Sequence, residues 1–332
     1  MMDNRLFYIL KNSGIPLFLR YFKAKKGLAT VLCLHRIADT ESASWPPMKI
    51  SDFERLLQYI TKHYFPTTIA GLSNGSFEKK PPIVLSFDDG FRDFYENGIP
   101  LLKKFGIPCN LNVVTNCLDG NFSIWTQRLN DIFDSIWRNK TPINIQIKGI
   151  TIIVSDFEKK SINSKGLEIF HQLFNKDEIY IDEFLSNFEM ELPFKVEYAP
   201  MMNWADLKKG LLENEIELGS HSCSHYTLTN ITNNLKLKEE IYNSKLLIEE
   251  ITGRDVSIFA APNGKYDANI LSISKAAGYK HFLTVDEELI TPDNFSSFKK
   301  ARILIAYADH AQNMLKVENF QNHIKKMINR RK

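Results

Sequence analysis

The chain has 332 residues, 44% hydrophobic and 24% charged, with a net charge of +3, the composition of a globular protein with room for one large or two ordinary domains. Four cysteines (Cys33, Cys109, Cys117, Cys223) with no CxxC pair exclude a disulfide framework and point to reduced thiols. No stretch approaches the ~18 consecutive apolar residues of a membrane span, and the N-terminal order of charges and apolar runs is not that of a signal peptide, so the expected location is cytoplasmic.

Charge is unevenly placed. Residues 1–36 hold seven Lys/Arg against one Asp, and "HIKKMINRRK" (323–332) adds +5, which leaves the body of the chain acidic. Segment 1–28 reads as a basic amphipathic element, with apolar runs Leu6–Leu10 and Ile15–Leu19 broken by Lys11 and Arg20. Its expected role is peripheral contact with the inner face of a membrane. Nucleic acid is not an expected partner.

From residue 29 short apolar strands alternate with helical patterns, which predicts an α/β fold with a largely parallel sheet. "ATVLCLH" (29–35) reads as a strand ending at His35, and 51–64 as a helix capped by Ser51. "PIVLSF" (82–87) is a strand, 95–106 a helix stopped by Gly106, and "CNLNVV" (109–114) a strand. From about 118 to 200 the rhythm changes to a hairpin pattern, "TPINIQIKGITIIVS", and then a helical one. That stretch reads as an inserted lid. The α/β rhythm resumes with a helix over about 233–251, closed by Gly253, a strand "VSIFAAP" (256–262), a helix over 267–279, and the strands "KHFLTV" and "RILIAY". A basic tail, 311–332, follows the domain assigned to 29–310.

Two stretches carry chemistry. "IVLSFDDGF" ends a strand in two adjacent carboxylates, Asp88 and Asp89, which raise each other's pKa unless something uses or neutralises them. "GSHSCSH" sets His221 and His225 four residues apart, a spacing that predicts one face of a helical turn and a grip on one metal. Ser222 follows His221, so this is not the HExxH of zinc proteases. Two imidazoles and one of the two aspartates would hold a divalent ion with positions left open, and the other aspartate would be free as a base toward water. The ion's charge would also offset the repulsion between the carboxylates.

With "LSFDDGF", "GSHSCSH" and "FAAPNGKYD" in that order, the chain resembles the polysaccharide deacetylases, carbohydrate esterases with a NodB homology domain. The likeness runs from about residue 31 to 305. It implies a distorted (β/α) barrel, with Asp88 as general base and Asp89, His221 and His225 as ligands of a divalent metal, Zn²⁺ being the expected ion. It also implies a substrate and oxyanion site at Pro262 and Asn263.

Two positions depart from the family pattern. Ala260 stands where an arginine two residues before the proline orients the base, which leaves Arg302 as the favoured substitute and Arg36 as the other candidate. No Leu-x-His motif stands near the end of the domain. Instead "VLCLHRI" resembles a branch in which that motif has moved to the first strand, making His35 the general acid. Trp125, at the start of the insertion, is the expected stacking platform for a sugar ring.

The implied activity is removal of an N-acetyl group from an amino sugar of a bacterial cell-surface glycan or its precursor, lipid- or nucleotide-linked. A deformylase or O-deacetylase using the same site, a two-histidine-one-carboxylate oxygenase and a non-catalytic glycan-binding module are the competing readings.

Overall fold

The computed structural model describes residues 12–75, 77, 79–120, 122–305 and the short stretch 310–320. Of the two expected basic terminal segments, residues 1–11 and 321–332 lie outside the described residues.

Helix α1 (Ile15–Lys26) starts with Pro16 in its first turn and ends at Gly27, whose φ of 60° is the left-handed backbone that glycine adopts without penalty. Strand β1 (Thr30–Leu34) follows. Helix α2 (Ile50–His63) takes Lys49 rather than Ser51 at its N-cap, and no side chain caps it there. After β2 (Phe65–Pro66) and the short α3 (Ile69–Asn74) comes β3 (Pro82–Phe87), which delivers the aspartates. The expected helix over 95–106 begins as one wide π turn (94–98) and continues as α4 (Ile99–Phe105), stopped by left-handed Gly106. Strand β4 (Cys109–Val113) closes the first half.

The inserted stretch holds α5 (Trp125–Asn139), the hairpin β5 (Ile143–Ile147) and β6 (Ile150–Val154), then α6 (Lys159–Leu173) and α7 (Glu178–Met190). One helical pattern in sequence becomes two helices because the Asp177 carboxylate caps a new start at Tyr180. The insertion has its own apolar core, in which Ile132, Phe133, Ile152, Phe184 and Phe188 are fully buried.

The main chain then resumes with α8 (Trp204–Glu213), β7 (Ile216–Ser220), α9 (Asn234–Thr252), β8 (Ile258–Ala260), α10 (Ala268–Ala276), β9 (His281–Leu283), β10 (Lys299–Lys300), β11 (Ile303–Leu304) and α11 (His310–Val317).

The main sheet runs β10-β9-β8-β7-β4-β3-β1-β11, with β2 beside β3. Its neighbours pair in parallel, and β1, β3 and β4 are buried at every position, which is why their sequences read as apolar runs. The two edges of this sheet, β10 and β11, are separated in sequence by Ala301 and Arg302 alone. A sheet whose opposite edges are joined by two residues has to curl until those edges adjoin. The result is a distorted (β/α) barrel, and Arg302 lies at its seam. Among the described residues no helix is long and apolar enough to cross a membrane.

Because the insertion packs around its own core, a cavity there should be felt at once. Phe184→Ala is expected to cost about 3–5 kcal/mol in denaturant unfolding, as for other buried aromatic truncations.

Candidate active site

Strand β3 carries the aspartates to the end of the barrel where β1 and β4 also finish. The Asp88 N–H donates to Leu34 O at 3.0 Å, which extends the β1–β3 pairing by one residue. Asp89 then turns with φ 77°, and Gly90 follows with φ 88°. A left-handed aspartate costs roughly 1–2 kcal/mol relative to the right-handed regions. The turn aims two neighbouring carboxylates at different partners. Among the described residues eight non-glycines have positive φ, and four of them (Asp89, Ser222, His225 and Asn263) surround this site. Backbone strain is thus concentrated where side chains are aimed.

Asp88 faces the seam. The Arg302 guanidinium holds it with two bonds, Nη1 to Oδ1 at 2.7 Å and Nη2 to Oδ2 at 2.8 Å. Arg302 is completely buried and is itself held by Thr284 O at 3.2 Å and Ser86 Oγ at 3.0 Å. Asn112 Nδ2 donates to Asp88 Oδ1 at 2.7 Å, and the Cys33 thiol donates to Oδ2 at 3.4 Å. Burial alone would push the Asp88 carboxyl up, but the Arg302 cation, helped by His221, holds it well below the usual range. Of the two arginines considered for Asp88, Arg302 is the one that contacts it. Arg36 goes elsewhere, pairing with Asp93 at 2.8 Å.

Asp89 faces the histidines. Its Oδ1 lies 3.5 Å from His221 Nε2 and 3.3 Å from His225 Nε2, and ligand atoms of the three residues lie within 4.8 Å of one another. The loop after β7 is not the helical turn that the four-residue spacing predicts. Residues 221–225 form no helical turn, only a bend at 223–224, and positive φ at Ser222 (67°) and His225 (61°) folds the second imidazole back onto the first. Their rings sit 4.8 Å apart.

Buried Glu240 anchors this loop, accepting from the N–H groups of Cys223 and Ser224 at 3.0 Å each. His221 Nδ1 donates to Ala260 O at 2.8 Å, which fixes the tautomer and leaves Nε2 with a lone pair toward Asp89. The position that lacks the arginine thus contributes through its carbonyl.

These residues fit a divalent ion. Burial pushes both histidines below their ordinary range, so each is a neutral donor. Burial, and then the Asp88 charge, push Asp89 up. Asp89 Oδ1 is buried with no hydrogen bond, although two imidazole nitrogens converge on it. Lone pairs gathered in this way require a cation or a proton between them. A set of two imidazoles and one carboxylate suits a catalytic metal with open positions.

A cavity of about 460 Å³ opens above these groups, between the barrel and the insertion. His35 and Trp45 border it on one side, their rings edge-to-face at 5.1 Å. A ring nitrogen of His35 lies within 4.8 Å of an Asp88 carboxylate oxygen. Asn130, Asn163, Leu167 and Phe170 border it from the insertion, and Asn263 from the turn after β8.

Two expectations are corrected here. Trp125 does not face the cavity. It is 1% exposed, stacked on Phe170 at 5.5 Å within the insertion's core, because it opens helix α5 on that helix's inner face. Pro262 is buried in the turn 262–264, and it is Ala261, Asn263 and Gly264 that line the cavity there.

Several site residues escape the sequence reading. Ser86, Asn110 and Asn112 form a buried polar chain, with Ser86 Oγ donating to Asn110 Oδ1 at 2.6 Å. The signal was present as polar residues inside the otherwise apolar strands "PIVLSF" and "CNLNV". Gly219 belongs with them, since a Cβ there would meet Asn112 Oδ1 at 1.9 Å.

Elemental analysis of protein exchanged into a divalent ion is expected to find one equivalent per chain. Asp89→Ala and His225→Ala should each weaken that binding by more than the ~10–100-fold typical of losing an outer-shell partner.

Residues 184–282 match the family model described as polysaccharide deacetylase. No curated protein sequence matches the chain. Among solved structures the chain is similar to the Streptococcus pyogenes deacetylase PplD in complex with acetate, at 17% identity and a TM-score of 0.58, over 88% of this chain and 98% of that one. It is also similar to a polysaccharide deacetylase from Bacillus cereus, at 15% identity and a TM-score of 0.56, over 88% of this chain and 69% of that one. IcaB from Ammonifex degensii aligns at 15% identity and a TM-score of 0.55, over 88% and 97%. At these identities the solved structures speak for the fold, while the family match spans the His221–His225 loop and strand β8. Residues 184–282 thus match the polysaccharide deacetylase family, and the barrel that carries them is the fold of the solved deacetylases.

Proposed function

We propose that the chain hydrolyses the N-acetyl group of an amino sugar in a bacterial glycan or glycan precursor. The observation that carries this reading is the pairing of Asp88 with Arg302 directly beside the Asp89–His221–His225 cluster, at the floor of one cavity. A binding module has no use for a carboxylate kept ionised next to three ligands.

A divalent ion at Asp89, His221 and His225, with Zn²⁺ the expected one, would polarise the acyl carbonyl and make a water more acidic. Asp88 takes a proton from the water that attacks the acyl carbon. Arg302 and Asn112 are positioning residues: they fix the carboxylate's orientation and hold it ionised. That depressed pKa makes Asp88 a weak base, so the water has to be acidified for the transfer to proceed.

His35 is the acid in this scheme, yet burial lowers its pKa to about 4, so it starts neutral. A neutral imidazole has no proton to spare until it receives one. The short gap between Asp88 and His35 suits a relay, in which the proton taken from water passes to His35 and on to the leaving amine. The carbon–nitrogen bond breaks, a carbon–oxygen bond replaces it, and acetate and a free amine leave. The backbone N–H of Asn263, at the cavity wall, is the candidate donor to the oxyanion.

The cavity also bears on the substrate. Among the described residues Arg302 is the only basic Lys or Arg side chain lining it, and Arg302 is committed to Asp88. Asn130, Asn163, Thr126, Trp45 and Phe170 offer amide, hydroxyl and aromatic contacts. That lining favours an uncharged sugar ring over a nucleotide-linked one, whose phosphates would find no free cation. Trp45 takes over the stacking role first expected of Trp125.

Mass spectrometry of glycans from cells carrying the wild type or Asp88→Asn tests the reaction directly. The expected result is one additional acetyl on an amino sugar in the variant, with kcat in vitro lowered about 10²–10⁴-fold. A formyl-sized gain would reassign the acyl group, and no change in cells shown to express the protein would overturn the reading.

Arg302→Met removes the cation that holds Asp88 ionised, so the Asp88 pKa rises. Since the base works only when ionised, the acid limb of the pH–rate profile should move to higher pH. An unmoved limb with reduced kcat would assign Arg302 a purely structural role.

A further inference from the structure

Helix α1 has two faces of different chemistry. On the inner face Pro16, Leu19 and Lys23 are buried. Ile15 and Leu19 pack with Ala311, Leu315 and Phe320. The Lys23 ammonium donates to Val317 O at 2.6 Å, the Tyr64 hydroxyl at 3.2 Å and Thr30 Oγ1 at 3.3 Å, and Arg20 pairs with Glu318 at 3.1 Å. These contacts hold the helix in one rotation, so the direction of the other face is fixed.

On the outer face Leu17, Phe18 and Tyr21 are 66%, 66% and 63% exposed. Positions i, i+1 and i+4 share one side of a helix, and Phe22 at 37% extends the stripe. Three large apolar side chains standing together in water are a solubility liability on a helix docked this firmly. Lys25 and Lys26 are exposed at the end of the same helix, which contains no acidic residue. The sequence joined to the fold at Phe320 adds Lys325, Lys326, Arg330, Arg331 and Lys332, again with no acid.

We propose that α1 docks the protein on an anionic lipid surface. The Leu17–Phe18–Tyr21 stripe enters the headgroup–acyl boundary, and Lys25 and Lys26 face the phosphates. An amphipathic helix and a polybasic segment together supply the two signals that stable peripheral binding needs, where one alone is marginal. Charge favours lipid over a second copy of the chain. Self-pairing of this helix would set basic residues against basic residues with no acid available on either side.

The test is co-sedimentation of the full chain with vesicles of phosphatidylcholine, alone or with phosphatidylglycerol added. The protein should pellet with the anionic vesicles and be released by salt. The variant Leu17→Ser/Phe18→Ser/Tyr21→Ser should lose binding by at least about tenfold, the order expected for withdrawing partly buried apolar side chains. The separate variant Lys25→Gln/Lys26→Gln, which leaves the packed face and the stripe intact, should lose about tenfold on anionic vesicles only. An unchanged circular dichroism spectrum shows that either variant is folded.

Absence of pelleting with both vesicle types would overturn the proposal. So would a triple variant that pellets like the wild type, which would leave the basic tail acting alone. Sedimentation velocity provides the remaining arm: a dimer dissolved by the stripe substitutions, without vesicle binding, would give this face to a second copy.

Discussion

The Arg302–Asp88 pair is the constraint on which the rest of the site depends. Its two residues lie 214 positions apart in sequence and meet only because the sheet curls until its edges adjoin. Both are buried, and taking two charges out of water is costly unless the geometry is bidentate and the remaining atoms are satisfied. Here both conditions hold. Asn112 and Cys33 also donate to the carboxylate, and Thr284 and Ser86 take two of the three remaining guanidinium donors. Burying a pair like this gains little stability by itself. What it fixes is the orientation and charge of one carboxylate, and with it the register at which the seam closes.

That pair also accounts for two aspartates standing side by side. Adjacent carboxylates in similar surroundings would share a proton, but these two have been given opposite surroundings. Asp88 continues the strand toward a cation and is held ionised. Asp89 turns through left-handed backbone into a pocket of neutral imidazoles, where burial and its neighbour push its pKa up. Two groups of one chemical kind, driven apart by environment, are suited to different tasks, which in the proposed reaction are those of a base and a ligand. The strained φ values at Asp89, Ser222 and His225 are part of the cost of that division.

The insertion completes the site from above and is tied to it at several points. Tyr226, next to His225, packs in the insertion's core, and its hydroxyl donates to Asp182 at 2.6 Å. Asp134 in helix α5 accepts from the N–H groups of Ala43 and Ser44 at 2.8 and 3.0 Å, beside Trp45 on the cavity wall. Asn163 in helix α6 donates to Ser44 O. The insertion is therefore braced against both the histidine loop and the loop after β1. A shift in its core would be felt at the cavity, where α5 and α6 place Asn130, Asn163 and Phe170.

What the sequence by itself determined is what depends on near neighbours. Apolar runs bounded by turn residues mark β1, β3, β4 and β8, and Gly106 and Gly253 end their helices as expected. The change of rhythm marks the insertion. The doubled aspartate and the paired histidines stand out because unusual chemistry is visible within a few residues. Tertiary structure decided everything that depends on direction and on distant partners. His221 and His225 converge through a strained loop, although their spacing is that of a helix. Trp125 turns inward and Trp45 toward the cavity, since which face a ring takes depends on what packs against its helix or loop. Ser86, Asn110 and Asn112 become a hydrogen-bonded chain only once β3 and β4 lie side by side. Arg302 reaches Asp88 because closure of the barrel brings a distant side chain to it, and no local pattern encodes that proximity.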